Sequence, residues 1–557
     1  MKYLTLFLTL FVSVLFFKSQ TQRFIVEFTD KNNSPYSIQE PASYLSERSI
    51  KRRVNQNIPI MLNDLPPNPQ YVSEVLNCGA RFVSKSRWFN SVVVEINDSC
   101  PITKIRNFSF VKRIYPSKSI SIPLPCDYSA KNKVHENAVA QKTGMNLSND
   151  AYDYGLSYDQ VNQVGGVCLH NQGYDGKGKV ICVFDAGFRN ADTLSCFDSL
   201  FNNAQVLGTW DYVANEASVY EDNDHGAMVL SCMAANKSGV LVGVAPKSSY
   251  WLLRTENAGS ELLIEESNWA AAAEFADSVG ADIINSSLGY TLFDSAAQNH
   301  SWADLDGNTA IATLAADLAA SKGILVCNSA GNEGANSWKY ISVPADADSI
   351  LSVGAVDANG NRASFSAVGP TADGRIKPDV VANGNGTYLI APWSGNVIQS
   401  GGTSFSSPII AGMAACLWQS NPTKTNMEII QAIKNSGHQA QNPDSLLGWG
   451  IPNFCMSNAS LNGMQQYGVK NEDGIISFFH NPVEDVFNLY YFASGEGRVE
   501  LIFSDINGKI IMKEEVKVKG NNLHFFKLEN TNSLSTGVYL IQIISENKKV
   551  SKKIFKF

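Results

Sequence analysis

The chain has 557 residues, of which 44% are hydrophobic and 41 are glycines. This composition is typical of a globular protein of about two to four domains and argues against a disordered chain or a repeat array. The net charge is −8, and basic residues cluster only in the tail at 548–556 and in the short "KRR" at 51–53. Nucleic acid is therefore not an expected partner.

Residues 1–20 have the layout of a secretory signal peptide. Lys2 precedes an apolar run from Leu4 to Phe17, and small and polar residues follow. The run is short for a membrane span, which needs about 20 apolar residues, although a single anchor helix is the alternative. No later segment of the sequence carries a long enough apolar run, so we expect an exported chain without a stable membrane span.

Ten cysteines in an exported chain permit disulfides without requiring them. Cys182 and Cys327 lie in apolar runs typical of buried strands, where we expect free thiols. Cys78 and Cys100 could pair, and the sequence does not decide this. No Cys-x-x-Cys or His-rich cluster in the sequence indicates a structural metal site.

Residues 21–120 contain strand-like "RFIVEF" and "SVVVEI", a basic segment "SERSIKRRVNQ" and a helical pattern "PQYVSEVLNCG". These predict a small α+β domain. The polar stretch at 121–151 has the composition of an exposed, cleavable linker.

Residues 152–461 alternate apolar strand patterns with alanine-rich helical patterns. Helices are predicted at "EESNWAAAAEFADSVG" and at 309–323. Near-continuous apolar strands with helices between them predict an α/β fold with a parallel central sheet that has helices on both faces. Ligands of such sheets bind at the carboxyl ends of the strands. The strand patterns are "KVICVFD", "YWLLRT", "ADIINSSLG", "GILVCNSAG" and "ILSVGAVD".

A second polar linker at 462–474 leads to residues 475–557, where apolar residues alternate with polar ones. Runs such as "RVELIFSD" and "GVYLIQII" are separated by turn sequences. This pattern predicts a small antiparallel β-sandwich.

Four polar residues of the middle domain lie where a strand or loop leads into a helix or turn: Asp185, His225, Asn332 and Ser404. Each alone has a commoner structural role, as a strand-end cap, a solvated histidine, a turn residue or a helix N-cap. Together the Asp, His and Ser provide the orienting carboxylate, the base and the nucleophile that nucleophilic hydrolysis requires.

The order Asp, His, Ser and a series of motifs resemble the subtilisin family of serine endopeptidases. The resemblance implies a subtilisin-like fold and hydrolysis of protein or peptide substrates through an acyl-enzyme, with no cofactor required for catalysis. It assigns Asp185 as the triad carboxylate, His225 as the base, Ser404 as the nucleophile and Asn332 as an oxyanion donor. The motifs are "VICVFDAGF", "HGAMV", "GVAP", "NSSLG", "SAGNEG", "RASFSAVGP", "KPDVVA" and "GTSFSSP".

The same resemblance implies two walls of a pocket for the residue before the cleaved bond. The stretch at 342–344 is expected at its floor, with a preference for small or medium apolar side chains. Structural calcium, common in the family, cannot be placed on this sequence. The residues assigned to the walls are Ser287, Leu288, Gly289, Ser329, Ala330 and Gly331.

The chain departs from the family pattern beside its catalytic residues. Ala186 stands where a Ser or Thr is usual, Ala227 where a Thr is usual, and Phe405 and Ser406 where Met-Ala is usual. None of these changes removes a catalytic group, so we expect activity. The alternative is an inactive subtilisin-fold module that binds a surface, but such a protein usually lacks one of the four site residues.

The flanking segments also resemble parts of bacterial subtilisin-like proteins. Residues 21–120 are similar to Bacteroidetes-type propeptides in "YLSERSIKRR" and "SRWFNSVVVEI", which implies a segment that assists folding and blocks the active site; a separate binding domain is the alternative. Residues 475–557 resemble the C-terminal sorting domain of type IX secretion in "NPVEDVFNL", "DINGKII" and "STGVYLIQI". That implies the type IX machinery as a partner and an extracellular or outer-surface location, with a generic carbohydrate- or protein-binding sandwich as the alternative.

Overall fold

The structure is a computed structural model of the chain. It describes residues 22–96, 100–117, 150–462, 474–479, 487–518, 520, 522–528, 534–546 and 548–556. The predicted signal peptide at 1–20 and nearly all of the predicted linkers at 121–151 and 462–474 lie outside these residues. The described residues form two compact units, one of 22–37 with the described part of 63–117, and one of 38–62 with the described part of 150–556.

The first unit is a four-stranded antiparallel sheet with two helices, as the predicted α+β pattern requires. Strand β1 (Gln22–Phe28) comes first in the chain, and helix α1 (Glu47–Asn55), which follows it, belongs to the second unit. The sheet order is β2-β3-β1-β4, and β1 and β3 contribute alternate apolar side chains to one buried cluster. The remaining elements are α2 (Pro69–Asn77), β2 (Arg81–Ser86), β3 (Ser91–Ile96), α3 (Cys100–Arg106) and β4 (Val111–Ser117).

The second unit is built on a parallel sheet of seven strands in the order β13-β12-β11-β10-β5-β9-β6. The strands at its centre are buried along their whole length, which explains their continuous apolar sequences. All five predicted strands lie in this sheet. Its strands are β5 (Val180–Asp185), β6 (Val206–Asp211), β9 (Ser249–Arg254), β10 (Ile283–Ser286), β11 (Leu325–Ser329), β12 (Leu351–Val356) and β13 (Val380–Asn383).

Helices flank the sheet, and two short strand pairs accompany it. The helices are α4 (Tyr158–Gln163), α5 (Gly166–Asn171), α6 (Asp198–Asn202), α7 (His225–Ala234), α8 (Ile264–Val279), α9 (Ile311–Ser321), α10 (Thr403–Ser420), α11 (Asn426–Asn435) and α12 (Phe454–Leu461). The strand pairs are β7 (Asn236–Lys237) with β8 (Leu241–Val242), and β14 (Asn385–Ile390) with β15 (Val397–Gly401). Helix α10 packs against β10 to β13 and against α7, and it is buried from Thr403 to Trp418. Its burial on every side explains its apolar and small residues.

The C-terminal part of this unit contains the predicted pair of antiparallel sheets. One has the order β16-β17-β20 and the other β19-β18-β21-β22, and apolar side chains from both share a buried cluster. The strands are β16 (Gly474–Phe479), β17 (Phe487–Ala493), β18 (Gly497–Asp505), β19 (Ile510–Val518), β20 (Asn522–Leu528), β21 (Gly537–Ile544) and β22 (Lys549–Lys556).

The cysteines follow the sequence-based expectations only in part. Cys182 and Cys327 are buried free thiols, as predicted, and Cys78 is also free, so the open pairing with Cys100 is not formed. A disulfide that the sequence did not indicate joins Cys168 of α5 to Cys455 of α12, 287 residues apart. It connects the beginning and the end of the α/β domain. Within the described residues no helix is long and apolar enough to cross a membrane.

Candidate active site

The three residues predicted to form a triad lie at the carboxyl side of the parallel sheet or at the helices that follow it. Asp185 is the last residue of β5, His225 is the first residue of α7, and Ser404 is the second residue of α10. His225 Nδ1 lies 2.8 Å from Asp185 Oδ1, with the carboxylate fully buried and the imidazole 21% exposed. The end of β5 and the start of α7 therefore hold the buried carboxylate against an imidazole that is partly exposed to solvent.

Gly226 permits the close approach of β5 and α7. Its N–H donates to Gly187 O at 2.9 Å, and a Cβ at this position would lie 2.4 Å from that oxygen and 2.9 Å from Asp185 Cβ. No larger residue fits without moving the backbone that carries the carboxylate. The glycine of the "HG" motif is thus required by packing beside the pair.

The two oxygens of the Asp185 carboxylate have different surroundings. Oδ1 accepts hydrogen bonds from His225 Nδ1 and from Ala186 N, both at 2.8 Å. Oδ2 is buried and has no hydrogen-bond partner among the described residues. The methyl side chain of Ala186 provides no hydroxyl that could donate to it.

The charge of Asp185 controls the protonation of His225. Burial alone would lower the pKa of His225, but the charge and hydrogen bond of Asp185 and the charge of Glu256 raise it above its usual value of 6.5. Because the carboxylate only accepts, Nδ1 carries the proton and Nε2 presents its lone pair. Burial and the charges of Glu261 and Asp185 raise the pKa of Glu256 itself to about 8, so its charge acts on His225 mainly in alkaline solution.

Ser404 lies in the first turn of α10 without capping it. The N-cap residue is Gly402, and no side chain makes a capping hydrogen bond. Ser404 Oγ donates to the carbonyl oxygen of Ser287 at 3.4 Å, and no hydrogen bond joins the described side chains of Ser404 and His225. The ring of Phe405 lies 5.9 Å from the imidazole of His225. Catalytic hydrogen bonds are often long in unliganded enzymes and shorten when substrate binds.

Pro408 and Ser287 together determine which hydrogen bond the carbonyl of Ser404 accepts. In a regular helix the carbonyl of Ser404 would accept from the N–H four residues later, but Pro408 has no N–H. Ser287 Oγ donates to this carbonyl instead, at 2.9 Å. The proline therefore frees a carbonyl that connects Ser404 to Ser287, a residue of the predicted pocket wall.

Asn332 is held by Thr403, the residue before Ser404. Its side-chain oxygen accepts from Thr403 N at 2.9 Å and from Thr403 Oγ1 at 3.1 Å. Because the oxygen is occupied, the Nδ2 group is the part of the amide left to donate. Thr403 Oγ1 also accepts from Gly331 N at 3.2 Å. Sequence reasoning missed Thr403, although its hydroxyl stands next to Ser404 in "GTSFSSP".

The six predicted wall residues lie at the carboxyl ends of the adjacent strands β10 and β11: Ser329 is the last residue of β11, and the other five follow the two strands. Asn328 Nδ2 and Ser329 Oγ both donate to Leu288 O, at 3.1 Å and 3.3 Å, which connects the two walls. A Cβ at Gly289 would lie 2.2 Å from Ser342 Oγ, and one at Gly331 would lie 2.6 Å from it. Ser342 therefore lies between the two glycines, where a pocket floor was expected.

Glu333 is a further residue of this region that the sequence did not indicate. Its Oε2 is buried, has no hydrogen-bond partner among the described residues, and lies 2.5 Å from the position of a Cβ on Gly331. Burial raises the pKa of its carboxyl group.

No group of three or more His, Cys, Asp or Glu side chains in the described part of the chain is placed to hold a metal ion.

Three family models match the chain. The one described as "Subtilase family" matches residues 176–450, the "Peptidase S8 propeptide domain, Bacteroidota" matches 23–138, and the "Secretion system C-terminal sorting domain" matches 477–556. Subtilisin NAT of Bacillus subtilis subsp. natto is 32% identical over 292 residues, which are 51% of this chain and 68% of that protein. Subtilisin of Bacillus pumilus is 32% identical over 281 residues, covering 50% of this chain and 90% of that protein.

The chain belongs to the subtilase family. This subtilase is a serine endopeptidase with a propeptide domain and a type IX sorting domain, which place it outside the cell or on its surface. Its parallel seven-stranded sheet is the predicted subtilisin-like fold. Subtilisin DY of Bacillus licheniformis is another relative, 35% identical over 214 residues, or 38% of this chain and 69% of that protein.

Proposed function

We propose that this subtilase cleaves peptide bonds with Asp185, His225 and Ser404 as its triad and Asn332 as an oxyanion donor. The observation that carries the assignment is the 2.8 Å contact between the buried Asp185 carboxylate and the partly open imidazole of His225. Ser404 starts the helix beside them, with Phe405 in contact range of the same imidazole. The proposed peptidase domain spans 152–461.

In the first half-reaction Ser404 Oγ forms a bond to the substrate carbonyl carbon while His225 Nε2 takes the hydroxyl proton. Asp185 remains ionised and stabilises the imidazolium that results. Asn332 Nδ2 and the N–H of Ser404 donate to the negative oxygen. The proton then passes from His225 to the leaving amine as the peptide bond breaks, leaving an acyl group on Ser404.

In the second half-reaction His225 removes a proton from water as the water oxygen attacks the acyl carbon. The same two donors hold the oxyanion, and the proton returns to Ser404 Oγ when the acid product leaves. Every proton is carried by His225, so the cycle needs no cofactor.

For the substrate, we propose an extended peptide whose residue before the cleaved bond enters between the walls at 287–289 and 329–331. Ser342 approaches both Gly289 and Gly331 closely, which supports a pocket of limited depth. This favours small or medium side chains at that position. Neighbouring substrate residues would pair with these wall segments as an added strand.

We also propose that the chain is made as a preproprotein, with a signal peptide at 1–20, a propeptide at 21–120 and a sorting domain at 475–557. Its own propeptide and the type IX secretion machinery are then its protein partners, with linkers at 121–151 and 462–474. The family matches at 23–138 and 477–556 support this division. A mass spectrum of the secreted protein measures both cleavage sites.

The test of the proposed chemistry is hydrolysis of casein and of a peptide library by the secreted protein, with Ser404→Ala as the control. We expect cleavage by the wild-type protein and a loss of about 10⁶-fold in kcat in the variant, as for removal of a triad nucleophile. Full activity in the variant would reject Ser404 as the nucleophile. No cleavage by the correctly folded wild-type protein would favour the inactive surface-binding alternative.

A further inference from the structure

Helix α1 comes from the N-terminal segment in sequence but packs on the α/β domain. Ser46, which caps α1, donates its N–H to Ser278 O at 2.9 Å. Other contacts of the helix are with Ala281 and Lys322, which shortly precede β10 and β11. The segment Ile38–Leu62 thus lies at the amino ends of these strands and shares a compact unit with them.

Two arginines of α1 are buried against one carboxylate. Arg52 and Arg53 are 5% and 1% exposed, and both donate to Asp277, which is fully buried. Arg53 Nη2 lies 2.6 Å from Asp277 Oδ2, while Arg52 binds the other oxygen. Arg52 also donates to the carbonyls of Ala281 and Lys322. Buried charges are costly unless they are paired and hydrogen-bonded. The cleft formed by Asp277 and the carbonyls of Ala281 and Lys322 supplies such partners to guanidinium groups.

The shape of the cleft is matched to α1 as well. Gly280 and Gly323 follow the ends of α8 and α9 with φ of +80° and +87°. A Cβ on Gly280 would lie 2.6 Å from Ser49 N, and one on Gly323 would lie 2.6 Å from Gln56 Nε2. Gln56 in turn donates to Gly323 O at 2.8 Å and accepts from the first N–H of α11 at 2.9 Å. Three helices of the peptidase therefore meet on this segment.

The cleft is at the opposite end of the sheet from the candidate active site. Asp185 and the wall residues lie at the carboxyl ends of β5, β10 and β11, whereas α1 contacts residues before β10 and β11. Strands of four to six residues separate the two ends by roughly 13–20 Å. A ligand in this cleft leaves the catalytic residues accessible.

We propose that residues 38–62 are a docking segment, and that the cleft around Asp277 binds this arginine-bearing helix in trans after cleavage as it does in the intact chain. The inference rests on the proposed processing of the propeptide, because the segment must be cut from the peptidase before it can bind in trans. Cleavage alone then does not release the segment. The ligand of the cleft is a helical peptide that carries two adjacent arginines.

The test uses a fluorescent synthetic peptide of residues 38–62 and the mature peptidase, from which the cleaved propeptide has first been removed so that the cleft is empty. Binding is followed by anisotropy, and hydrolysis of a short chromogenic peptide is followed in the same samples. We expect saturable binding without inhibition. Peptides with Arg52→Lys or Arg53→Lys should bind at least about tenfold more weakly, since lysine loses the multiple planar donors. Lys51→Arg is the matched control, because Lys51 is exposed on the same helix, and it should change binding less than about threefold.

A second arm uses the intact chain with Ser404→Ala, so that no self-cleavage occurs. Gly323→Ala should speed hydrogen exchange of the α1 amides at least about tenfold, whereas Gly374→Ala should not. The two glycines share a φ of +87°, but a Cβ on Gly374 meets nothing within 4 Å. Both variants therefore introduce the same strain from a positive φ, but only the Cβ of Gly323→Ala would collide with the docking segment.

Three results would overturn the proposal: no binding of the peptide, equal binding of the Arg52→Lys and wild-type peptides, or competitive inhibition of hydrolysis. The last would place the peptide in the active site. Loss of docking with hydrolysis intact rejects this proposal alone, and docking without hydrolysis rejects the proposed catalytic function alone.

Discussion

Replacing Asp185 by Asn removes a charge and keeps the shape of the side chain. In the wild-type chain Oδ1 accepts both hydrogen bonds of the carboxylate, and Oδ2 has no partner among the described residues. An asparagine can therefore accept both bonds with its carbonyl oxygen and place its NH₂ group at the Oδ2 position. We expect the variant to keep the tautomer of His225 and to lose mainly the negative charge.

The magnitude follows from the separation of the charges. His225 Nδ1 lies 2.8 Å from the carboxylate oxygen, and the centres of the two charges are about 4 Å apart. Such a pair is worth about 4 kcal/mol at an effective dielectric constant of about 20. Because about 1.4 kcal/mol is a factor of ten in rate, kcat/KM should fall by about 10³-fold. The pKa of His225 should fall too, since the charge that raises it is gone.

The assay is kcat/KM on a peptide substrate as a function of pH. The wild-type protein loses activity as the pH falls through the pKa of His225, above 6.5, because the protonated imidazole is no longer a base. In the Asp185→Asn variant this acid limb should move to lower pH, on a plateau about 10³-fold lower. Both proteins are matured by the same unrelated protease.

The matched control is Asp222→Asn, which removes a carboxylate that pairs with Arg254 instead of His225. It should change kcat/KM less than about threefold and leave the acid limb in place. The reasoning is refuted if Asp185→Asn costs less than about tenfold, or if its acid limb coincides with that of the wild-type protein.

Thr403→Val removes the hydroxyl bonds to Asn332 and Gly331; kcat should fall about tenfold with KM nearly unchanged, and Thr403→Ser should restore it. Gly331→Ala, with φ of +111° and a Cβ 2.5 Å from a carboxylate oxygen, should lower kcat/KM at least about 100-fold, whereas Gly374→Ala should keep activity. Burial lowers the pKa of His170. Its contribution to stability is therefore full above pH 6.5 and is lost as the pH falls towards the folded pKa. The melting temperature of the wild-type chain should fall more than that of His170→Gln between pH 7.5 and 5.

Strands buried on both faces were predictable because their sequences are continuous apolar runs. The two strands of the main sheet that sequence reasoning missed, β6 and β13, are its edges. Strand β6 is only partly buried and contains Gly208, whereas β13 is buried but its apolar run is limited to Val380–Ala382. An interrupted or very short apolar run is detected poorly by periodicity.

The proposed triad residues were selected from their order and motifs, but the groups that contact the candidate site residues were not predicted. Thr403 fixes Asn332 through hydrogen bonds between positions 71 residues apart. The "KRR" at 51–53 was recognisable only as a short basic cluster, whereas the structure buries Arg52 against Asp277, which lies 225 residues later in the chain. Such pairings depend on which segments the fold brings together, and a single sequence does not contain that information.

At Ser404 the local sequence suggests a capping role that the structure gives to another residue. A serine at the start of a helix suggests an N-cap, but Gly402 occupies that position and Ser404 is one of the first helical residues. Pro408 removes the helical partner of the Ser404 carbonyl, and Ser287 Oγ binds it at 2.9 Å. The proposed nucleophile and the predicted pocket wall are thus joined by a direct hydrogen bond. Under the proposed function, a substrate side chain that contacts this wall would be placed in register with Ser404.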